Sequence, residues 1–262
     1  MLTRRLTTVM LAVVLAGCQA AAPVPPAPSP RRWIPAPGAT WQWQLTGRLD
    51  PAVPAEVYDV DGFTTTAADV ETLHRTGRRV ICYISVGSAE RFRPDAARWP
   101  ESVLGKPTGW AGERWVDVRD RTGIGPILAA RMDMCRDKGF DGVEPDVMDG
   151  YAHDTGFPLT PADQLAFNRW VAALAHERGL SVGLKNDLEQ IPALLDVFEF
   201  AVDEECVAHD ECPALRPFVA SGKAVFHAEY DHAPSTFCAA TRALGLSSIR
   251  KDRALGPWRQ TC

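Results

Sequence analysis

Two periods of apolar residues run along this chain. Short apolar or alternating runs occupy 41–45, 56–60, 79–85, 115–118, 142–144, 181–185, 199–202, 224–228 and 248–250. Runs of this length and pattern predict strands. Between most of them the period lengthens to that of a helix, over 66–75, 125–138, 160–178, 187–195, 214–220 and 236–244. Boundary chemistry agrees with the periods. Thr66 precedes the first helix and Gly77 follows it, Gly139 and Gly179 stop the next two, and Thr160-Pro161 places Pro in a first turn. Strand–helix units repeated over about 220 residues predict a parallel sheet covered by helices. A single (β/α)8 TIM-type barrel is favoured over an open doubly wound sheet. Acids and aromatics recur at the C-terminal ends of many strands rather than at one switch point, and no GxGxxG follows the first strand. Nine runs exceed the eight a barrel needs. No helix fits between the first two, so either one of them lies outside the barrel or the first unit lacks its helix.

The first residues break this pattern. Arg4 and Arg5 precede an apolar run over 9–16, which ends in Leu15-Ala16-Gly17-Cys18. A basic start, a short apolar stretch and small residues before a cleavage point read as an export signal, too short to span a bilayer. The Leu-Ala-Gly-Cys ending resembles a bacterial lipobox, with Cys18 as the lipidated residue. Residues 18–38 are rich in Ala and Pro and read as a semi-extended tether. The expected organisation is a lipoprotein signal peptide over 1–17, the tether over 18–38 and the barrel domain over 39–262. It places the protein outside the cytoplasm, as a cell-envelope lipoprotein or extracellular, with membrane contact only through a lipid on Cys18.

Composition sharpens this. The chain has 262 residues, 46% hydrophobic and 23% charged, enough for one large core. Residues 1–32 hold four arginines and no acid, so the remainder carries −9 where the whole carries −5. Such a domain repels nucleic acid and attracts a cationic ligand. Six cysteines remain beyond Cys18, and an even count in an exported domain favours disulfides among 15 connectivities. Cys206 and Cys212 are close enough to close a short loop. Cys238 with Cys262 pins the C-terminal segment, which leaves Cys82 with Cys135. No cysteine or histidine spacing indicates zinc.

Candidate chemistry gathers at strand ends. GFDGVEPDVMDGY places Asp141, Glu144, Asp146 and Asp149 within one strand end and its loop, and FAVDEEC adds Asp203, Glu204 and Glu205. Carboxylates collected at the mouth of a core are costly unless chemistry or a cationic ligand uses them. Glycosidic cleavage needs two carboxyl groups across the scissile bond, one ionised and one protonated. Glu144 and Asp146 share a strand face, and the 203–205 group stands two units away. Acids, aromatics and amides around the mouth suit a sugar. The expected substrate-binding set is Trp43, Asp59, Asp61, Tyr83, Asp117, Glu144, Asp149, Lys185, Asn186, Glu205 and Glu229. Asp141 reads as structural, Asp154 as a loop or subsite residue, and His227 as a satisfied near-core histidine. Arg119 and Lys185 read as groups that orient carboxylates.

The motifs WQWQL, VYDVDGF, VICYISVGSAE, GFDGVEPDVMDGY, GLKND, FAVDEEC and VFHAEY, in this order from Trp41 to about Asp252, resemble glycoside hydrolase family 114. That family comprises endo-α-1,4-polygalactosaminidases and related barrel proteins. The resemblance implies a (β/α)8 barrel that cleaves α-1,4-linked galactosamine polymers, with Asp146 and Glu204 as the catalytic pair. Val147 and Asp203 stand where the family pattern often has Asn, a departure that bears on substrate preference.

Strand alternation points the other way at one place. If bulky Phe198, Phe200 and Val202 face the helices, Asp203 and Glu205 face inward and Glu204 outward. The reading carried forward is a retaining glycosidase with Asp146 as nucleophile and Glu204 as acid/base, needing no cofactor or metal and acting as a monomer on a galactosamine-rich polysaccharide. Three alternatives stand beside it. One is a metal-dependent hydrolase using Glu144, Asp146, Asp187 and Glu229. Another is a non-catalytic polysaccharide-binding lipoprotein. The third makes Lys185 a Schiff-base nucleophile.

Overall fold

The apolar runs form eight parallel strands, seen in a computed structural model that describes residues 32–262. They are β1 (Trp41–Gln44), β2 (Val57–Asp61), β3 (Arg79–Ser85), β4 (Gly142–Asp146), β5 (Ser181–Lys185), β6 (Phe200–Glu204), β7 (Val225–Glu229) and β8 (Ser247–Arg250). Each pairs in parallel with the next in this order. This is the (β/α)8 barrel that the periodicity implied. The helices are α1 (Ala67–Arg75), α2 (Arg121–Asp137), α3 (Pro161–His176), α4 (Ile191–Leu194), α5 (Arg216–Ala220) and α6 (Pro234–Ala243). Thr66 with Asp69 and Thr160 with Asp163 form reciprocal capping boxes at α1 and α3. Helix α2 starts before residue 125, because Asp120 caps it by accepting from the Gly123 amide at 2.9 Å.

The surplus ninth strand is accounted for. No helix lies between β1 and β2, so the first unit lacks one and both strands belong to the barrel. The 115–118 run is the strand outside. It contributes Glu113–Val116 to an antiparallel sheet with Ser88–Glu90 and Leu104–Pro107, inserted between β3 and α2. Alternation marks a strand but says nothing of its partner or direction.

Two apolar layers flank the barrel strands. Tyr58, Val80, Cys82, Val143 and Val182 face helix residues such as Leu73, Met132 and Phe167. Trp41, Trp43, Ile81, Phe200, Val202 and Phe226 fill the lumen. Trp41 stacks on Trp43 at 5.8 Å and meets Phe226 at 5.1 Å between centroids. Each such ring, fully buried, contributes roughly 1.5–3 kcal/mol. Gly183 is required here, since a Cβ would enter the Phe200 ring.

Among the described residues no ladder joins β1 to β8. The C-terminal segment fills that seam instead. The Leu45 amide donates to Leu255 O at 2.9 Å, Gln42 Nε2 to Pro257 O at 2.8 Å, and Arg259 to the Trp41 carbonyl. Beneath the barrel, Trp33 packs on Phe200 at 6.3 Å and the Ala224 amide donates to Pro35 O at 2.8 Å. The end of the stretch expected as tether, from Arg32, therefore lies against the barrel floor. The signal over 1–17 and Cys18 fall outside the described residues. Disulfides join Cys82 to Cys135, Cys206 to Cys212 and Cys238 to Cys262, as the spacing implied. Three disulfides fit an oxidising compartment. No helix among the described residues is long and apolar enough to cross a membrane.

Candidate active site

Lumen-facing positions climb each strand in steps of two and emerge at the mouth as functional groups. On β4 the series is Gly142, Glu144, Asp146; on β5 it ends in Lys185; on β6 it runs Phe200, Val202, Glu204. Immediately after Asp146, Lys185 and Glu204 the chain turns left-handed, at Val147 (φ 65°), Asn186 (φ 49°) and Glu205 (φ 64°). A β-branched residue there is strained by about 1–3 kcal/mol, a cost that concentrates at functional sites.

Lys185 is the hub. Its Nζ lies 2.8 Å from Asp146 Oδ1, 2.7 Å from Glu204 Oε1 and 3.7 Å from Glu144 Oε1. The Asp146 and Glu204 oxygens are thus no farther apart than the sum of the first two distances, about 5.5 Å. Asp146 also accepts from the Tyr83 hydroxyl at 2.6 Å and the Val147 amide at 2.9 Å. Burial pushes the Asp146 carboxyl up, but Lys185, Tyr83 and Val147 outweigh it and hold the group below its ordinary value. Burial likewise opposes the Lys185 charge, and Asp146, Glu204 and Glu144 outweigh that, so the amine stays protonated. A protonated amine is no nucleophile, which removes the Schiff-base role. Glu204 accepts from the Tyr230 hydroxyl, and its amide donates to Asn186 Oδ1 at 3.0 Å.

Below this level two acids are wholly buried. Burial and the Glu144 carboxylate raise Asp59 well above the ordinary range. Burial raises Glu144 to about 7, opposed by Lys185. Glu144 accepts from Trp43 Nε1 at 3.0 Å. The Trp43 ring lies beneath Lys185 at 5.3 Å.

The expected residues divide. Trp43, Asp61, Tyr83, Asp146, Asp149, Lys185, Asn186 and Glu204 line one cleft of about 620 Å³. Asp59 and Glu144, also expected to touch the sugar, are sealed beneath it with no exposed surface. Three more expected sugar contacts do not face it. Asp117 is held by Arg119 at 2.8 Å, ahead of α2. Glu205 turns out at its left-handed residue and pairs with Arg253 at 2.9 Å. Glu229 projects behind β7, where it meets His227 Nε2 at 2.9 Å and the Val207 amide at 2.8 Å. The alternation argument for Glu205 fails on its premise, because Phe200 and Val202 fill the lumen and Glu204 follows them inward. The four acids of the metal alternative do not converge. Lys185 occupies the space between Glu144 and Asp146, Asp187 accepts from Asn168 at 2.8 Å, and Glu229 is behind the sheet. Tyr230, Trp110 and Arg253 in the cleft lining were missed. Tyr230 was legible, two steps of two beyond inward-facing Phe226; Arg253 comes from the seam segment, which has no period.

The family model of glycoside-hydrolase family GH114 matches residues 22–262. This chain belongs to that family. It is a glycoside hydrolase, and the cleft above is where its acids gather. Three proteins are similar to this chain. The crystal structure of Aspergillus fumigatus Ega3 in complex with galactosamine superposes with a TM-score of 0.84 at 36% identity, covering 90% of this chain and 100% of that one. The glycoside hydrolase domain of PelA from Pseudomonas aeruginosa shares the fold, with a TM-score of 0.66 at 16% identity over 85% of this chain and 98% of that one. A Deinococcus radiodurans protein with no assigned function is 28% identical over 250 residues, 82% of this chain and 80% of its own.

Proposed function

We propose that this GH114 chain is a retaining, endo-acting hydrolase of α-1,4-linked galactosamine polymers, with Asp146 as nucleophile and Glu204 as general acid/base. The observation that carries this is the shared Lys185, which holds both carboxylates within about 5.5 Å. Retaining glycosidases place the pair about 5–5.5 Å apart, whereas inverting ones need roughly 6.5–9.5 Å to admit a water. Asp146, kept ionised, attacks the anomeric carbon while Glu204 protonates the departing oxygen. Glu204 then takes a proton from the water that cleaves the ester. Ega3 was crystallised with galactosamine, and the −9 charge of residues 33–262 suits a cationic amino sugar. Asp61, Tyr83, Asp149 and Asn186 contact the sugar around the reacting bond, with Trp43 beneath Lys185 as their support.

The test is proton NMR of the first products from partly deacetylated galactosamine polymer, with chitosan and polygalacturonate alongside. Mid-chain cuts releasing the α-anomer first are expected. Initial β-anomer sinks retention, and cleavage of the uronate with none of the amino sugar sinks the substrate class. We further propose export by the signal over 1–17 and anchoring by a lipid on Cys18, with the barrel acting as a monomer. Cys18→Ala then moves the protein from the detergent phase to the aqueous phase on partitioning, and unchanged partitioning would refute the anchor.

A further inference from the structure

One wall of the cleft is unused by the chemistry above. The sheet inserted between β3 and α2 carries Trp110 at its hairpin tip, 63% exposed, and Phe92, 59% exposed. Both rings line the same cleft as Asp146, Lys185 and Glu204, beyond the side chains that touch the reacting pair. A ring this exposed contributes little to the core, so folding does not explain it. Neither ring is on loose chain. The Thr108 amide donates to Glu113 O and the Glu113 amide to Trp110 O, each at 3.2 Å. Gly109 (φ 104°) and Gly112 (φ 87°) supply the conformations this turn needs. Phe92 rests on the Arg93 guanidinium at 5.2 Å, itself fixed by Asp61 at 2.5 Å and Glu90 at 2.8 Å. The insertion is tied down where the Lys106 amide donates to Thr155 O at 2.8 Å and Trp115 stacks on His153 at 4.9 Å.

We propose that Trp110 and Phe92 form a distal subsite that stacks a further hexosamine unit of the same chain on its C–H face. This rests on the polymer reading above. The occupant is sugar because the platform is continuous with the reaction cleft and is shared with the carboxylates Glu113 and Asp149, which suit a protonated amine. The turn that carries Trp110 and the Phe92 ring are held before binding, so little ordering entropy opposes the contact.

The experiment measures KM along a graded series of galactosamine oligomers. In the parent, KM should fall as the chain lengthens past the reaction site. Trp110→Ala should raise KM for the longest oligomers by about tenfold and for the shortest by less than about twofold. Trp110→Tyr should restore the length dependence, and matched melting temperatures show that both variants fold. Identical length dependence in parent and Trp110→Ala overturns the subsite. Should the parent cut no oligomer, the polymer reading fails separately. Calorimetric affinity for the longest oligomer then decides: equal values for Asp146→Asn with and without Trp110→Ala overturn the subsite, and a loss of about tenfold sustains it.

Discussion

The tops of β6 and β7 carry acids on both faces, and the two faces behave differently. In the lumen, Glu204 reaches the cleft with its side chain 25% exposed and meets Lys185 and Tyr230. Behind the sheet, Asp203 and Glu229 are shut away beside His227. Glu229 is paired there through Oε1: burial pushes it up, but His227 and the Val207 amide outweigh that and hold it below its ordinary value. Asp203 makes no hydrogen bond of good geometry from either oxygen, and burial, with Glu211 and Glu204 nearby, raises it well above the carboxylate range. Residue type alone therefore does not mark a catalytic acid. What distinguishes Glu204 is a cation on one side and an open cleft on the other.

The lumen face should break first. Asp146→Asn should keep the fold and lower kcat by about 10⁵-fold, since an amide can neither attack nor neutralise the anomeric carbon. Glu204→Gln should cost about 10³-fold on polymer, where the leaving group needs its proton. With an activated substrate, azide should rescue Glu204→Gln and yield the α-glycosyl azide, and rescue of Asp146→Asn should yield the β-azide. Glu205→Gln should stay near the parent. If Glu205→Gln behaves as the acid/base variant and Glu204→Gln does not, the roles given to the two faces are wrong.

A smaller effect is expected behind the sheet, in stability rather than turnover. With its value raised in the fold, Asp203 keeps a proton that the unfolded chain has lost above about pH 4. The folded state then binds more protons than the unfolded one, so its stability falls as pH rises from there toward the raised value. Asp203→Asn should remove that loss and be more stable than the parent by on the order of 1–3 kcal/mol in mildly alkaline buffer, with little difference near pH 4. Denaturant unfolding at the two pH values reads this directly. Parallel pH profiles for the two proteins would mean that Asp203 titrates normally.

Much of this contrast is legible in the sequence. The barrel follows from apolar period and from capping residues such as Thr66 and Thr160, because local hydrogen bonds and burial set these elements. The reacting strand ends stand out because GVEPD and AVDEE join apolar runs to acids. Which face points inward was not legible on β6, where bulky Phe200 and Val202 suit a helix-facing layer equally well. Only the closed barrel, with Trp41 and Phe226 across the lumen, decides it. Trp110 was invisible for a different reason. Its position depends on an antiparallel pairing that no local period encodes.

The unladdered seam between β1 and β8 has a kinetic consequence. Closing it joins Trp41 to Arg259 across a sequence separation of 218 residues, so the barrel cannot be completed by neighbours in order, as its other strands can. Loop-closure entropy grows only slowly with length, about 0.6 kcal/mol per doubling, so this distance costs little stability. It raises contact order, which slows folding, and it leaves the edges of β1 and β8 open until residues 255–261 arrive, Gln260 and Thr261 pairing antiparallel with Arg250 and Ile249 of β8. The chain meets its period of greatest vulnerability to aggregation just before that moment, and the Cys238–Cys262 bond holds the end of the segment against α6 once it has arrived.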